Sequence, residues 1–242
     1  MWSPEREDRL RHVQLAERLQ LPLNTEAEFP EDAWVLNFKT DGLYLQDHAR
    51  GGVTVNIQPR PGEPRRIPGP KTGPLAQAIG RQSQTMIDAT GGFGQDALAL
   101  WRMGLTVTII ERQPLLFALL EDAVARLSQA YPHMPSPTLL FGDAMVLLPS
   151  LPPVDCVYLD PMFPPKRKSS ALAKKPMQLL DTLLDGDPDK LELLAVALRC
   201  SAKRVVVKSP TWAKPLAGKP DLSLASKLLR FDVYLAKGEN YV

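Results

Sequence analysis

The sequence predicts an α/β fold, a mostly parallel sheet with helices packed on it, preceded by a small α+β unit. Three observations carry this. The stretch Thr85 to Asp96 reads TMIDATGGFGQD: a short apolar strand, a loop with Gly91, Gly92 and Gly94, then the start of a helical run. That order is how such a sheet builds a ligand crevice at the carboxyl end of a strand. From Leu75 onward, strand-like and helical stretches alternate. And an acid closes successive apolar runs, at Asp88, Glu111, Asp143 and Asp160. In a parallel sheet those ends share one edge, where ligands bind.

Composition sets outer limits. The chain has 242 residues, 44% hydrophobic and 23% charged, which describes an ordinary globular protein of one large domain or one domain with a small companion. No apolar run reaches membrane-span length, and the start, MWSPEREDRL, has no signal-peptide character. Cys156 and Cys200 read as buried thiols in a reducing, cytoplasmic setting. Two cysteines and three scattered histidines form no metal-ligand cluster. Net charge is +2, unevenly spread: residues 164–175 hold five bases and no acid, and residues 199–219 hold six bases and no acid. Such stretches beside a crevice favour a polyanionic partner.

The elements follow in order. Ser3 and Pro4 start a helix, as N-cap and first helical residue, continued by Leu10, Val13 and Glu17. Trp34 to Gln46 reads as a hairpin about Asp41-Gly42, and Val53 to Ile57 alternates as a third strand. Residues 59–74 are crowded with proline and glycine among four bases, which excludes regular structure. They read as a linker, dividing the chain into 1–73 and 74–242. Leu75 to Gly80 is a short helix closing over the crevice. Thr85–Ile87 is the first parallel strand, and Asp96–Met103 the helix after it, ended by Gly104. Thr106–Ile110 is the second strand, followed by a long amphipathic helix from Pro114 to Tyr131. Leu139–Phe141, Val154–Leu159 and Lys203–Val207 are further strands, with a helical region from Met177 to Cys200 interrupted around Gly186 to Pro188. Ser223 to Leu229 reads as a short helix, and Arg230–Ala236 as a final antiparallel strand at an edge.

The strand-end acids suggest roles. Glu111 lies 17 residues past Gly94 and closes the second strand, where a carboxylate accepts from both hydroxyls of a ribose. Asp143, in Gly142-Asp143-Ala144, is placed to meet an adenine amino group, with Ala144 beside it. Asp88, Thr90 and the glycine loop, with Gln95 and Asp96, face the ligand's polar tail. Asp160-Pro161-Met162-Phe163-Pro164 is the sharpest motif. The Asp160 carboxylate and the Pro161 carbonyl offer two acceptors to one amino group, in a loop that proline stiffens. Phe163 offers a flat face for a base. The pattern Gly92-x-Gly94-x-x-Ala97 also matches a dinucleotide fingerprint loosely, so a hydride-transfer enzyme stays open at this point.

Taken together, IDATGGFGQD, IIER, GDA and VYLDPMFPPK resemble the motifs of class I S-adenosylmethionine-dependent methyltransferases. With KRVVVKSP and RFDVYL added, residues from about 75 to 242 resemble the ribosomal RNA small subunit methyltransferase J family. The resemblance implies a Rossmann-like fold with a seven-stranded, mostly parallel sheet and helices on both faces. It implies S-adenosylmethionine as cofactor, held by Asp88, Thr90, Gly91, Gly92, Gly94, Gln95, Asp96, Glu111, Arg112, Asp143, Ala144 and Asp160. It implies transfer to the exocyclic N2 amine of a guanine in 16S rRNA, with Asp160, Pro161 and Phe163 at the reacting base. Lys166, Arg167, Lys168, Lys174, Lys175 and Lys208 are then the candidates for phosphate contacts. The partner is 16S rRNA or the small ribosomal subunit, with neither membrane nor metal required.

Overall fold

The computed structural model describes residues 4–23, 33–47, 53–58, 73–163 and 189–236. An opening helix, α1 (Pro4–Leu19), leads to a three-stranded antiparallel sheet of β1 (Trp34–Lys39), β2 (Gly42–Asp47) and β3 (Val53–Val55). Lys39 pairs with Gly42, so Thr40 and Asp41 form the hairpin turn, one residue earlier than Asp41-Gly42 suggested.

The main body alternates as the sequence predicts. Its elements are α2 (Pro74–Ile79), β4 (Thr85–Asp88), α3 (Gln95–Arg102), β5 (Thr106–Glu111), α4 (Pro114–Ala130), β6 (Thr138–Phe141) and α5 (Ala144–Leu147). They continue with β7 (Val154–Leu159), α6 (Lys190–Cys200), β8 (Ser201–Pro210), β9 (Leu222–Ala225) and β10 (Leu229–Leu235). The seven strands run in the order β6-β5-β4-β7-β8-β10-β9. All pairs from β6 to β8 are parallel, whereas β10 is antiparallel to both β8 and β9. Strand order reverses direction between β4 and β7, and a crevice forms where it reverses.

Strand periodicity divides the interior in two. Met86, Cys156, Tyr158 and Val206 enter the core shared with α3, α4 and the small N-terminal sheet. Their neighbours Ile87, Val157, Leu159, Val205 and Val207 enter the core beneath α6. Successive side chains point to opposite faces, so strands buried on both sides read as continuous apolar runs. The small sheet sits on α4. Asp122 Oδ2 accepts from the Leu43 backbone N–H at 3.0 Å, and Arg126 Nη2 donates to the Ile57 carbonyl at 2.7 Å. Arg18 pairs with Glu121 on the same helix.

Three expectations change. Ser223 to Leu229 is not a helix: β9 runs over Leu222–Ala225 and pairs with β10. The reason lies in Asp232, which is fully buried and takes Ser223 Oγ at 2.7 Å and Arg230 Nε at 2.8 Å. A buried carboxylate must be satisfied, and a strand at this place brings Ser223 to it. The final strand therefore lies between β8 and β9 rather than at an edge. Finally, α2 buries Ala76, Ala78 and Ile79 and packs against β8, β9 and β10, with Arg204 Nη1 donating to the Ala78 carbonyl at 3.2 Å. It is a packed helix of the sheet's far half, not a cover over the crevice.

Among the described residues, no helix is long and apolar enough to cross a membrane, and no group of three His, Cys, Asp or Glu could hold a metal. Both cysteines are free thiols, Cys156 buried and Cys200 half-buried.

Candidate active site

The site opens where β4 ends. Asp88, only 2% exposed, accepts at Oδ1 from the Thr90 N–H at 3.0 Å and from the Thr90 hydroxyl at 3.3 Å. Thr90 Oγ1 in turn accepts from the backbone N–H of Asp160 at 2.7 Å. One threonine thus fastens the glycine loop to the loop that follows β7. Burial pushes the Asp88 carboxyl up to about 7; the Thr90 hydrogen bonds oppose this and the charges of Asp160 and Asp96 add to it.

The loop itself is tightly held. Gly91 donates to the Ile110 carbonyl at 2.9 Å, and the Gly94 N–H reaches the Gly91 carbonyl at 2.7 Å. Gly94 caps α3 at φ +64°, a conformation favouring glycine, and a Cβ there would lie 2.5 Å from Leu120 Cδ2 on α4. Gln95 begins the helix with its side chain exposed.

Glu111 ends β5, nearly buried. Its Oε2 accepts from the Gly92 N–H and its Oε1 from the Gln113 N–H, both at 2.6 Å. Burial pushes this carboxyl up, against those two hydrogen bonds. Each carboxylate oxygen has two acceptor positions. Both oxygens can therefore still serve a pair of vicinal hydroxyls. Beside it, Asp143 caps α5 by accepting from the Met145 N–H at 2.8 Å, and Ala144 is buried. Phe141, paired in register with Glu111, is 44% exposed with its ring 5.0 Å from that of Phe117. Arg112 pairs with Asp189 at the start of α6, at 2.7 Å.

The acceptor side is built by parity. Val206 and Tyr158 point to the α3 face, so two residues further on Lys208 and Asp160 come up on that same face. Asp96 meets them from the first turn of α3. Lys208 Nζ lies 2.8 Å from Asp160 Oδ2 and 2.8 Å from Asp96 Oδ2, and Asp96 Oδ2 also accepts from the Tyr158 hydroxyl at 2.7 Å. Burial works against the Lys208 ammonium, but Asp160 and Asp96 outweigh it and hold its pKa above the ordinary lysine value. Burial, with Asp160 and Asp96, raises the Tyr158 phenol well above the usual range, so it stays a donor. Pro161 is buried; Met162 and Phe163 are half-buried. Lys190, at the first position of α6, places its ammonium 5.1 Å from the Phe163 ring centre and 3.4 Å from the Met162 carbonyl.

Asp88, Thr90, Gly91, Gly92, Gly94, Asp96, Glu111 and Asp160 thus gather at one sheet edge. Asp143 caps α5 through Oδ1, and Arg112 ties the end of β5 to α6. β8 extends to Pro210, which puts the Lys208 ammonium between the Asp96 and Asp160 carboxylates. Lys166, Arg167, Lys168, Lys174 and Lys175 lie outside the described residues. Sequence reasoning missed Lys190, Phe141 and the Tyr158 hydroxyl. Strand parity was the available signal for Tyr158; nothing local pointed to Lys190.

A family model for SAM-dependent methyltransferases matches residues 14–236. This chain belongs to that family. The ribosomal RNA small subunit methyltransferase J of Alteromonas mediterranea is 38% identical to it over 227 residues, 89% of this chain and 88% of the relative. The protein of the same description from Dechloromonas aromatica is 40% identical over 233 residues, 91% of this chain and 93% of the relative. A crystal structure of a SAM-dependent methyltransferase from Neisseria gonorrhoeae superposes with a TM-score of 0.66 at 26% identity, covering 95% of this chain and 94% of that one.

The cofactor of a SAM-dependent methyltransferase is S-adenosylmethionine, and the charges here suit it. Among the described residues, the Asp96 and Asp160 carboxylates share the single Lys208 ammonium, which leaves them an excess of negative charge. A ligand bearing a sulfonium and an ammonium against one carboxylate is electrostatically matched to that excess.

Proposed function

We propose that this protein methylates the exocyclic N2 amine of a guanine in the RNA of the small ribosomal subunit, in the cytoplasm where that subunit is assembled. One observation carries the reading. The Asp160 carboxylate stands at the same sheet edge as the glycine loop and Glu111, and the Asp160 backbone is tied to that loop through Thr90. The names of the relatives supply the class of RNA.

In this reading the glycine loop, Asp88 and Asp96 hold the amino-acid portion of the cofactor, and Glu111 its ribose. Phe141 and the Asp143–Ala144 turn flank the adenine. When bound, S-adenosylmethionine supplies a methyl group on a positively charged sulfur, open to displacement by the amine. The chain's own work is orientation and charge. Asp160 and the Pro161 carbonyl accept the two N2 hydrogens of a guanine taken out of its stack. Their hold turns the nitrogen lone pair toward the methyl. Positive charge then develops on nitrogen, and the Asp160 carboxylate stands fixed where it appears. The methylated amine is strongly acidic, so its proton leaves to that carboxylate or to water without a dedicated base.

Phe163 borders the base, with the Lys190 ammonium over its ring. Residues 74–242 carry the transfer chemistry in this reading, with 1–73 as the smaller unit. Lys166, Arg167, Lys168, Lys174 and Lys175 contact phosphates. The test is transfer of tritiated methyl groups to unmodified small subunits and to their naked RNA, followed by nucleoside analysis. N2-methylguanosine is the expected product. N6-methyladenosine would move the acceptor to adenine, and absence of label in every RNA would overturn the reading.

A further inference from the structure

Lys208 bridges the cofactor side and the acceptor side of the site, and the transfer step as described gives it no task. Resting on the methyl-transfer reading above, we infer that Lys208 is a positioning residue for Asp160 and not a contact to RNA phosphate. The Asp160 backbone is pinned by Thr90, but its side chain is 40% exposed, at the end of a strand. A carboxylate so placed samples rotamers unless something holds it. Lys208 supplies the second hold, on Oδ2 at 2.8 Å. With backbone and one oxygen both fixed, the plane of the carboxylate is set before substrate arrives, which is what an acceptor for a reacting amine requires.

The hold is itself anchored. Lys208 is only 20% exposed and reaches Asp96 Oδ2 at 2.8 Å, on an oxygen that also takes the Tyr158 hydroxyl at 2.7 Å. Contacts therefore run Tyr158, Asp96, Lys208, Asp160, Thr90, Asp88, joining β7, α3, β8 and β4 around the crevice. For Lys208 to swing to a phosphate, it would leave two neighbouring carboxylates unscreened, close to a third at Asp88. Removing one partner from such a cluster is costly, so the ammonium stays. A lysine serving RNA affinity would stand on the surface, where counterions are released.

Kinetics with unmodified small subunits separate the two roles. We expect Lys208→Met to lower kcat roughly 100-fold, the scale of a small misplacement of a reacting group. KM for the subunit and its dependence on salt should stay near wild type. Lys208→Arg, which keeps a cation and its donors, should recover part of kcat. A near-normal kcat in Lys208→Met, with the salt slope reduced by about one, would assign the residue to phosphate and overturn the inference. Loss of cooperative unfolding and of cofactor binding in both variants would make Lys208 a general strut, which also overturns it. Wild-type enzyme that labels no RNA overturns the functional reading itself, a separate failure visible before any variant is made.

Discussion

At Asp160 a strand end, a half-buried threonine and a lysine meet, and the consequences are read in rate rather than affinity. Asp160→Ala should reduce kcat by about 10²- to 10³-fold, the usual effect of removing one fixed group from a developing charge. Cofactor affinity by calorimetry should change far less. Asp88 is tested by pH. Its carboxyl is raised from 3.8 to about 7, with burial as the main cause. Between those values the native protein keeps a proton that the unfolded chain has released. Stability from this group is therefore full below the lower value and falls as pH rises through the upper one. Urea unfolding at about pH 5 and about pH 8 should show that loss, and Asp88→Asn should flatten it. Asp88, Glu111 and Asp160 were legible in the sequence because each acid closes an apolar run. Lys208 was not: a basic stretch looks like surface until β8 is known to run three residues further and strand parity turns the side chain inward.

At the scale of elements, the glycine loop and α3 depend on α4. Gly94 combines φ +64° with Leu120 packed where a Cβ would go. Gly94→Ala should cost about 2 kcal/mol or more, from a strained backbone and an overfilled contact, in a urea titration. It should weaken cofactor binding as well, since the loop must move. Lys190 belongs to the acceptor side. Lys190→Ala should raise KM for the subunit about 2- to 5-fold, the worth of an exposed cation–ring contact, and leave cofactor affinity unchanged. The parallel strands were readable because burial on both faces leaves continuous apolar runs. β9 was not, because Ser223 to Leu229 is rich in helix formers and only the buried Asp232 on β10 makes the extended form necessary.

At the scale of the molecule, charge and support decide behaviour. Residues 164–175 follow the acceptor loop directly and hold five bases without an acid. Replacing Lys166 and Lys168 together by alanine should lower the slope of log KM against log salt by about two, while single-turnover rate at saturating RNA holds. Support comes from α4, whose two ends of influence are two residues apart. Leu120 lies under Gly94, while Asp122 and Arg126 take up β2 and the chain after β3. Positions two apart on a helix face in nearly opposite directions. The amino-terminal sheet is thus a footing under the nucleotide cradle, reached through the thickness of a single rod. Trimming that footing away would leave the enzyme soft where it grips its methyl donor, long before the main sheet gave way.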